Sequence, residues 1–200
     1  TVLQTIVPRN ANGQTFDLAG VRSMRENPGH VNTSPFTSYN WHGKGNFASM
    51  LDAVVLGATE VDVNFNANVV THSDGRLLHG IGGWQNCLTS KCTILPIPSF
   101  RDRIPVIVDT VTTLCGPGEL IDVIVTERGI AINPLRRDLQ EKLHGSSLPI
   151  RSLTEIKNEV EDICGGAAAK PDLGDKVVAA IKWVDGTVID CVRQIRDQRW

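Results

Sequence analysis

The segment from Asp62 to Gly83 constrains the fold of this chain more than any other. It begins in an apolar strand with a cluster of amides, turns at Asp74-Gly75 and returns into a bare glycine loop. Because glycine has no Cβ and tolerates positive φ, such a loop lets the backbone approach a ligand closely. Its N–H groups can bind a phosphate, a carboxylate or a developing oxyanion. The alternative is that the glycines only form a tight turn.

Apolar runs elsewhere in the chain predict the strands of a sheet. They occupy residues 51–62, 93–96, 106–109 and 122–126. Residues 68–71 and 76–78 flank Ser73-Asp74-Gly75, which is a strong hairpin signal. A second hairpin is predicted for residues 176–194, where Asp185-Gly186 forms the turn.

Helical patterns lie between these strands. The first helix begins near Leu18, has apolar residues at helical spacing and is closed by Pro28. A second helix is predicted to open with Asn133 as its N-cap and Pro134 at its first position.

A third helix is better specified than the other two. Ser152 and Glu155 form a capping box, and Gly165 ends the helix. Its apolar face is predicted to consist of Leu153, Ile156, Val160 and Ile163. Strands and helices in this order predict an α/β domain with a mainly parallel sheet, helices on its faces and a C-terminal β-hairpin. We expect the domain to span residues 1–165, with residues 166–200 forming a connector and the hairpin packed on it.

Composition limits the function of the chain. It has 200 residues, 41% of them hydrophobic, and a net charge of -2, so it lacks the basic footprint of a nucleic-acid or anionic-membrane protein. No apolar run has membrane-spanning length. Its five scattered cysteines favour reduced thiols in a cytoplasmic protein, and the spacing of Cys87 and Cys92 predicts no metal site. The chain starts at Thr1 without an initiator Met, which indicates a fragment or a processed piece.

A polar, glycine-containing segment near the amino terminus carries Tyr39, Trp41 and His42. These side chains could contact a ligand or partner. Alternatively, they fix the segment to the domain surface, because aromatic rings gain most when they are buried.

A succession of motifs is more specific than any single one. It runs through residues 56–62, 66–69, 73–75, 80–83, 103–105, 111–118 and 125–134, and ends in the Val184–Asp190 hairpin. This series closely resembles the carboxy-terminal domain of the citrate lyase alpha subunit, and also the wider CoA-transferase group with its NagB/RpiA/CoA-transferase type of domain. The resemblance covers nearly everything from Thr15 to about Gln194.

The resemblance implies a transferase that exchanges acyl groups on a thioester. In the family, citrate displaces acetate from an acetylated carrier, and a separate lyase subunit cleaves the citryl thioester. The carrier is an acyl-carrier protein with a phosphoribosyl-dephospho-CoA prosthetic group, for which CoA can substitute. No tightly bound cofactor is implied.

The same resemblance implies partners. These are the citrate lyase beta (lyase) and gamma (acyl-carrier) subunits, the amino-terminal domain of the same subunit, and an oligomer in the cytoplasm. Two other functions stay open: a CoA transferase or thioester hydrolase for a different carboxylic acid, and a non-catalytic docking domain of such a complex.

The glycine loop is the first candidate site. Acyl transfer passes through tetrahedral oxyanions, and the N–H groups around Gly82, Gly83 and Trp84 suit their stabilisation. The resemblance adds Gly80, Gln85 and Asn86 as substrate- or CoA-binding residues. Family members usually have Gly-Gly-His-x-Asp at residues 82–86, so Trp84 and Asn86 remove two ionisable groups and put any proton transfer there in doubt.

Carboxylates, amides and an arginine complete the candidates. Glu60 could attack a thioester, or it could be a buried orienting acid. Asn64, Asn66 and Asn68 share one face if their segment is extended; they could bind citrate or the pantetheine arm, or satisfy backbone groups. Arg128 could bind a citrate carboxylate, or it could pair internally.

Overall fold

The computed structural model describes residues 18–28 and 51–196. The candidates Tyr39, Trp41 and His42 lie outside these residues. None of the helices in the described ranges has the length and apolarity of a membrane span.

The described residues form four helices and eleven strands, with a short 3₁₀ turn at Gly118–Leu120. The helices are α1 (Leu18–Glu26), α2 (Trp84–Cys87), α3 (Arg137–Leu143) and α4 (Leu153–Cys164). The strands are β1 (Val54–Val55), β2 (Glu60–Asp62), β3 (Ala67–Asn68), β4 (Thr93–Pro96), β5 (Phe100–Arg101), β6 (Ile104–Pro105), β7 (Ile107–Val108), β8 (Val123–Thr126), β9 (Gly129–Ile132), β10 (Leu173–Lys182) and β11 (Val188–Ile195).

Two small mixed sheets form the body of the α/β domain. One has the order β1-β4-β8-β9, parallel except for the antiparallel β8–β9 pair. The other has the order β3-β2-β7, with β2 parallel to β7 and antiparallel to β3. Helix α4 packs against β6, β7 and β9. The α/β fold with parallel strands and a C-terminal hairpin is thus confirmed.

The prediction of one continuous strand over residues 51–62 is wrong. These residues form two short strands, β1 and β2, and they belong to different sheets. Residues 56–59 bend between them, and Thr59 Oγ1 donates to the carbonyls of Asn68 and Thr71 at 2.9 Å each. These bonds fix the chain where it passes from the first sheet to the second.

The hairpin signal at residues 73–75 gives a turn with little strand. Gly75 has φ +86°, and His72 N donates to Arg76 O at 2.9 Å. A single antiparallel bridge, Thr71 to Leu77, follows on from this turn among the described residues. Asn68, predicted to be in this hairpin, pairs in β3 with Glu60 instead.

The predicted start of the second helix is wrong. Helix α3 begins at Arg137, with Arg136 as its N-cap residue. The Asn133 amide is buried and donates to the carbonyls of Gly118 and Ile121, at 2.8 and 2.7 Å. Asn133 therefore fixes the 3₁₀ turn instead of capping a helix.

The capping box of α4 is confirmed. Ser152 Oγ accepts from Glu155 N at 3.2 Å, the Glu155 carboxylate accepts from Ser152 N at 2.9 Å, and Gly165 ends the helix with φ +87°. Three of the four predicted face residues are buried, whereas Ile163 is 42% exposed because it lies in the last turn.

The C-terminal hairpin shares the main hydrophobic core. Ile181 and Val192 are buried in the same cluster as Val61 and Ile107. Asp190 accepts a hydrogen bond from Leu114 N at 2.6 Å, which ties β11 to the segment of residues 110–118.

Candidate active site at the glycine loop

The glycine loop, residues 80–83, leads from the turn of residues 73–77 into α2. A Cβ added at Gly80 or Gly82 would meet no atom within 4 Å, so both residues border open space. Gly82 has φ +61°, a conformation that favours glycine. Trp84 N donates to Ile81 O at 3.3 Å to close the turn. The N–H groups of Gly82 and Gly83 are therefore the better candidates for contact with a ligand.

Trp84 holds this loop in place. Its indole Nε1 donates to Gly57 O at 2.9 Å. Its ring lies against Gly116, where an added Cβ would be 2.5 Å from Trp84 Cζ3. An indole does not titrate near neutral pH, so Trp84 supplies packing and one hydrogen bond in place of a proton carrier.

The two residues after Trp84 are buried behind the loop. Gln85 Nε2 donates to Cys115 O at 2.9 Å. The backbone carbonyl of Asn86 accepts from Thr89 Oγ1 at 2.8 Å. Trp84 and Gln85 thus fix the loop against Gly57 on one side and residues 115–116 on the other.

Glu60 is 2% exposed and is surrounded by neutral donors. One carboxylate oxygen accepts from Thr112 N at 2.9 Å and from Asn68 Nδ2 at 3.1 Å, and the other accepts from Thr112 Oγ1 at 3.1 Å. The bonds to Thr112 hold the segment of residues 110–118, which carries Cys115 and Gly116. This geometry favours the orienting role for Glu60; attack on a thioester stays a prediction.

The three asparagines do not share a face, contrary to the expectation of an extended segment. Phe65 has φ +67° and its N–H donates to Asp62 O at 2.8 Å, so the chain turns between Asn64 and Asn66. Asp62, buried beside Glu60, accepts from the backbone N–H groups of Asn64 and Asn66, at 2.9 and 3.1 Å.

Their side chains have different surroundings. Asn66 binds Asp62 Oδ2 at 3.0 Å and accepts from Gly118 N at 2.9 Å. Asn68 is buried, and its amide contacts Glu60 and Thr71. Asn64 is exposed, whereas Asn66 is half-buried.

Arg128 lies between β8 and β9 and forms an ion pair with a carboxylate of α4. Its Nη1 donates to Glu159 Oε1 at 2.9 Å and its Nε to Ser99 Oγ at 3.2 Å. Its guanidinium also stacks over Phe100, 5.7 Å from the ring centroid. Arg151 and Arg128 lower the pKa of the Glu159 carboxyl through their hydrogen bonds. The geometry matches the internal-pairing alternative, and binding of citrate by Arg128 stays a prediction.

The structure adds residues that the sequence did not assign to the site. Thr112 binds Glu60, Thr113 Oγ1 and Thr71 Oγ1 are 3.0 Å apart, and Asp190 binds Leu114 N. Together they hold the segment of residues 110–118. Residues 111–113 and the Val184–Asp190 hairpin stand in recognisable motifs, which could have pointed to these residues, but the hydrogen bond from Leu114 N to Asp190 joins positions 76 residues apart and has no local signal.

Comparison with known proteins gives one consistent result. The family model described as citrate lyase, alpha subunit (CitF), matches residues 3–195. The citrate lyase alpha chains of Escherichia coli (strain K12) and Klebsiella pneumoniae are each 37% identical to this chain, over 185 and 188 residues. Each alignment covers 92% of this chain and 36% of the relative, so the chain spans about one third of their length.

A solved structure agrees. A Streptococcus mutans protein, assigned as the alpha subunit of citrate lyase and crystallised in complex with citrate, superposes with a TM-score of 0.85 at 38% identity. The alignment covers 91% of this chain and 36% of that one. The resemblance inferred from the motifs is confirmed along nearly the whole sequence, in residues and in fold: this chain belongs to the citrate lyase alpha subunit family.

Proposed function

We propose that this chain supplies the carboxy-terminal part of an acyl-thioester transfer site of the citrate CoA-transferase type, in which citrate replaces acetate on a thioester carrier. The observation that carries the proposal is the glycine loop, which borders open space at Gly80 and Gly82 and is fixed from behind by Trp84 and Gln85. Family membership and the citrate complex of the Streptococcus mutans relative support the choice of citrate.

The proposed reaction has two acyl transfers. A citrate carboxylate oxygen attacks the carbonyl carbon of the acetyl thioester, and the carrier thiolate leaves from the resulting tetrahedral oxyanion. The thiolate then attacks the citryl carbonyl of the mixed anhydride, and acetate leaves. Both steps develop negative charge on a carbonyl oxygen, so fixed N–H donors lower both barriers.

The residues have distinct proposed roles. The Gly82 and Gly83 N–H groups stabilise the oxyanion, and Trp84 and Gln85 keep them in position. Removing one such donor in other enzymes costs on the order of 10²–10³ in rate. Glu60 holds the segment of residues 110–118 by its bonds to Thr112, and Asn64 is the amide best exposed to a ligand.

The carrier and partners are part of the proposal. CoA or the phosphoribosyl-dephospho-CoA group of an acyl-carrier protein acts as co-substrate. A lyase (beta) subunit consumes the citryl thioester, and the gamma subunit presents the carrier. The chain spans about one third of its relatives, so we propose that a preceding amino-terminal domain completes the site. A cytoplasmic location and an oligomeric complex stay predictions.

Thioester exchange tests the proposal. The chain is incubated with acetyl-CoA and citrate, with and without the amino-terminal part of a relative, and citryl-CoA is measured by mass spectrometry. We expect product only when that part is added. Release of free CoA, or exchange with another acid but not citrate, would favour the hydrolase or the other CoA transferase. No product in either mixture would favour a docking domain.

A matched pair of glycine variants tests the loop itself. Gly82→Ala and Gly145→Ala each place a Cβ in open space at a positive φ, +61° and +75°, so their strain is similar. We expect Gly82→Ala to slow exchange by about tenfold or more because the added methyl group obstructs the oxyanion position. Gly145→Ala, at the end of α3, should not. Equal exchange rates in the two variants would mean that the glycine loop is not part of the site.

A further inference from the structure

An open groove separates the turn of residues 73–77 from the C-terminal hairpin. Its volume is about 460 Å³, within the range of small-molecule sites. Three arginines line it, Arg76 from the turn and Arg193 and Arg196 from the hairpin. Two separate parts of the chain therefore contribute positive charge to the same groove.

The three guanidinium groups have donors to spare. Arg193 Nη1 donates to the backbone carbonyl of Asp175 at 3.2 Å. The carboxylates nearest the other two are Asp74, 3.5 Å from Arg76, and Asp175, 3.5 Å from Arg196, and Asp172 lies 3.9 Å from Arg196 on its other side-chain nitrogen. All three distances exceed normal hydrogen-bond length, and exposed ion pairs of this kind contribute little. Each guanidinium has five N–H donors, so most remain available to an anion.

Part of the groove lining is aliphatic, and we refer to this part as the apolar floor. Leu77 is 59% exposed and Val178 is 55% exposed, and both line the groove together with the half-buried Ile195. Exposed aliphatic side chains beside arginines suit a ligand with a flat apolar part and an anionic part. A single phosphate or a tricarboxylate would contact the arginines but leave this floor uncovered.

We propose that this groove binds a nucleoside diphosphate-type ligand. Its phosphates receive hydrogen bonds from Arg76, Arg193 and Arg196, and its base covers Leu77 and Val178. Arginine suits this role because its planar fork binds phosphate oxygens in pairs and also stacks on flat rings. Binding here requires no thioester, so its failure would leave the proposed acyl transfer untouched.

Isothermal titration calorimetry of the full 200-residue chain tests the proposal with ADP, adenosine, inorganic pyrophosphate and citrate as probes. We expect ADP to bind about tenfold or more tightly than adenosine, since charge-assisted hydrogen bonds dominate. ADP should also bind more tightly than pyrophosphate or citrate, because of these three ligands only ADP covers the apolar floor. Citrate binding as tightly as ADP, or no ADP binding, would overturn the proposal.

Variants locate the site. The double variant R193Q/R196Q should weaken ADP binding by about tenfold or more, and R76Q, on the other side of the groove, should weaken it without altering the hairpin. R137Q changes an exposed arginine on α3 and should leave ADP affinity within roughly twofold. Loss of affinity in the double variant but not in R76Q would overturn the two-sided site, and equal loss in R137Q would mean that net charge alone attracts ADP.

Discussion

At the scale of single residues, the site is built largely from neutral donors arranged around two buried carboxylates. Glu60 and Asp62 each accept several hydrogen bonds from amides, hydroxyls and backbone N–H groups. Burial of a carboxylate is costly unless such bonds replace its hydration. The two acids therefore organise the turn at residues 63–66 and the segment of residues 110–118.

Glu60→Gln distinguishes an orienting acid from a nucleophile. The glutamine retains one oxygen that can accept from Thr112 N. Its NH₂ can donate to the Thr112 hydroxyl, which then accepts a hydrogen bond where it donated one to Glu60. We expect stability to change by less than about 1 kcal/mol and, in the mixture that supports exchange, the rate to stay within about tenfold of the parent.

Glu60→Ala is the companion variant. It leaves the half-buried Thr112 N–H without its acceptor and removes one of the acceptors of the buried Asn68 amide, which should cost about 1–3 kcal/mol in urea unfolding. A Glu60→Gln protein that is fully folded but inactive would contradict the orienting role and establish Glu60 as a chemical participant.

Among the glycines whose surroundings the structure describes, Gly118 has the least room for a side chain. A Cβ there would lie 1.9 Å from the backbone oxygen of Asn64, which cannot rotate away. We expect Gly118→Ala to destabilise the protein by about 3 kcal/mol or more in chemical unfolding, through forced backbone movement. Gly57→Ala is the control, because its Cβ would meet no atom within 4 Å. Equal stability of the two variants would contradict the close approach of Gly118 to Asn64.

At the scale of elements, a local signal predicted correctly where its own groups bind each other and failed where a distant group competes for them. The α4 capping box was predictable because Ser152 and Glu155 are three residues apart and satisfy each other. The Asn133-Pro134 signal was misleading because the Asn133 amide binds carbonyls 12 and 15 residues earlier in the chain. A sequence shows which groups can cap a helix, but not whether a distant carbonyl competes for them.

Arg136 fixes the start of α3 to the sheet. It pairs with Asp138 and, at 2.8 Å, with Asp122, whose other oxygen accepts from Thr93 N at the start of β4. Its hydrogen bonds lower the pKa of Asp138 from 3.8 to about 2. Because the folded-state pKa is depressed, this pair stabilises the fold above about pH 3.8 and loses its effect as the pH falls towards about 2.

The Asp138 pKa can be measured by NMR titration of its carboxyl carbon. Arg136→Gln should raise that pKa back towards 3.8, because the guanidinium that favours the carboxylate is gone. Arg137→Gln, the adjacent position, should leave the pKa near 2. An unchanged Asp138 pKa in Arg136→Gln would mean that Arg136 is not its partner in solution.

At the scale of the whole molecule, the predicted class of fold was correct, but the pairing of its strands was not visible. Apolar runs and turn residues indicated an α/β domain with a terminal hairpin. They could not indicate that residues 51–62 divide between two sheets, because that division depends on hydrogen bonds from Thr59 to Asn68 and Thr71. The glycine loop was found from the sequence, whereas its support by Gly57 and residues 115–116 depends on tertiary contacts.

The C-terminal hairpin should unfold together with the domain, since its inner face is part of the common core. Ile181→Ala should cost about 2–5 kcal/mol of global stability, as for other buried aliphatic truncations. Val188→Ala, on the same hairpin but 58% exposed, should change it by less than about 0.5 kcal/mol. Coincident circular dichroism and tryptophan fluorescence transitions in both proteins would support one cooperative unit. A separate early transition in Ile181→Ala would contradict it.

The hydrogen bond between Asp190 and Leu114 N has a practical consequence for shortened versions of this protein. Leu114 precedes Cys115, whose carbonyl binds Gln85, and Gln85 lies directly behind the glycine loop. A stop codon or a protease cut in β11 before Asp190 would remove an anchor that lies close to that loop. Truncation at this end is therefore not neutral, and expression boundaries belong after Arg196.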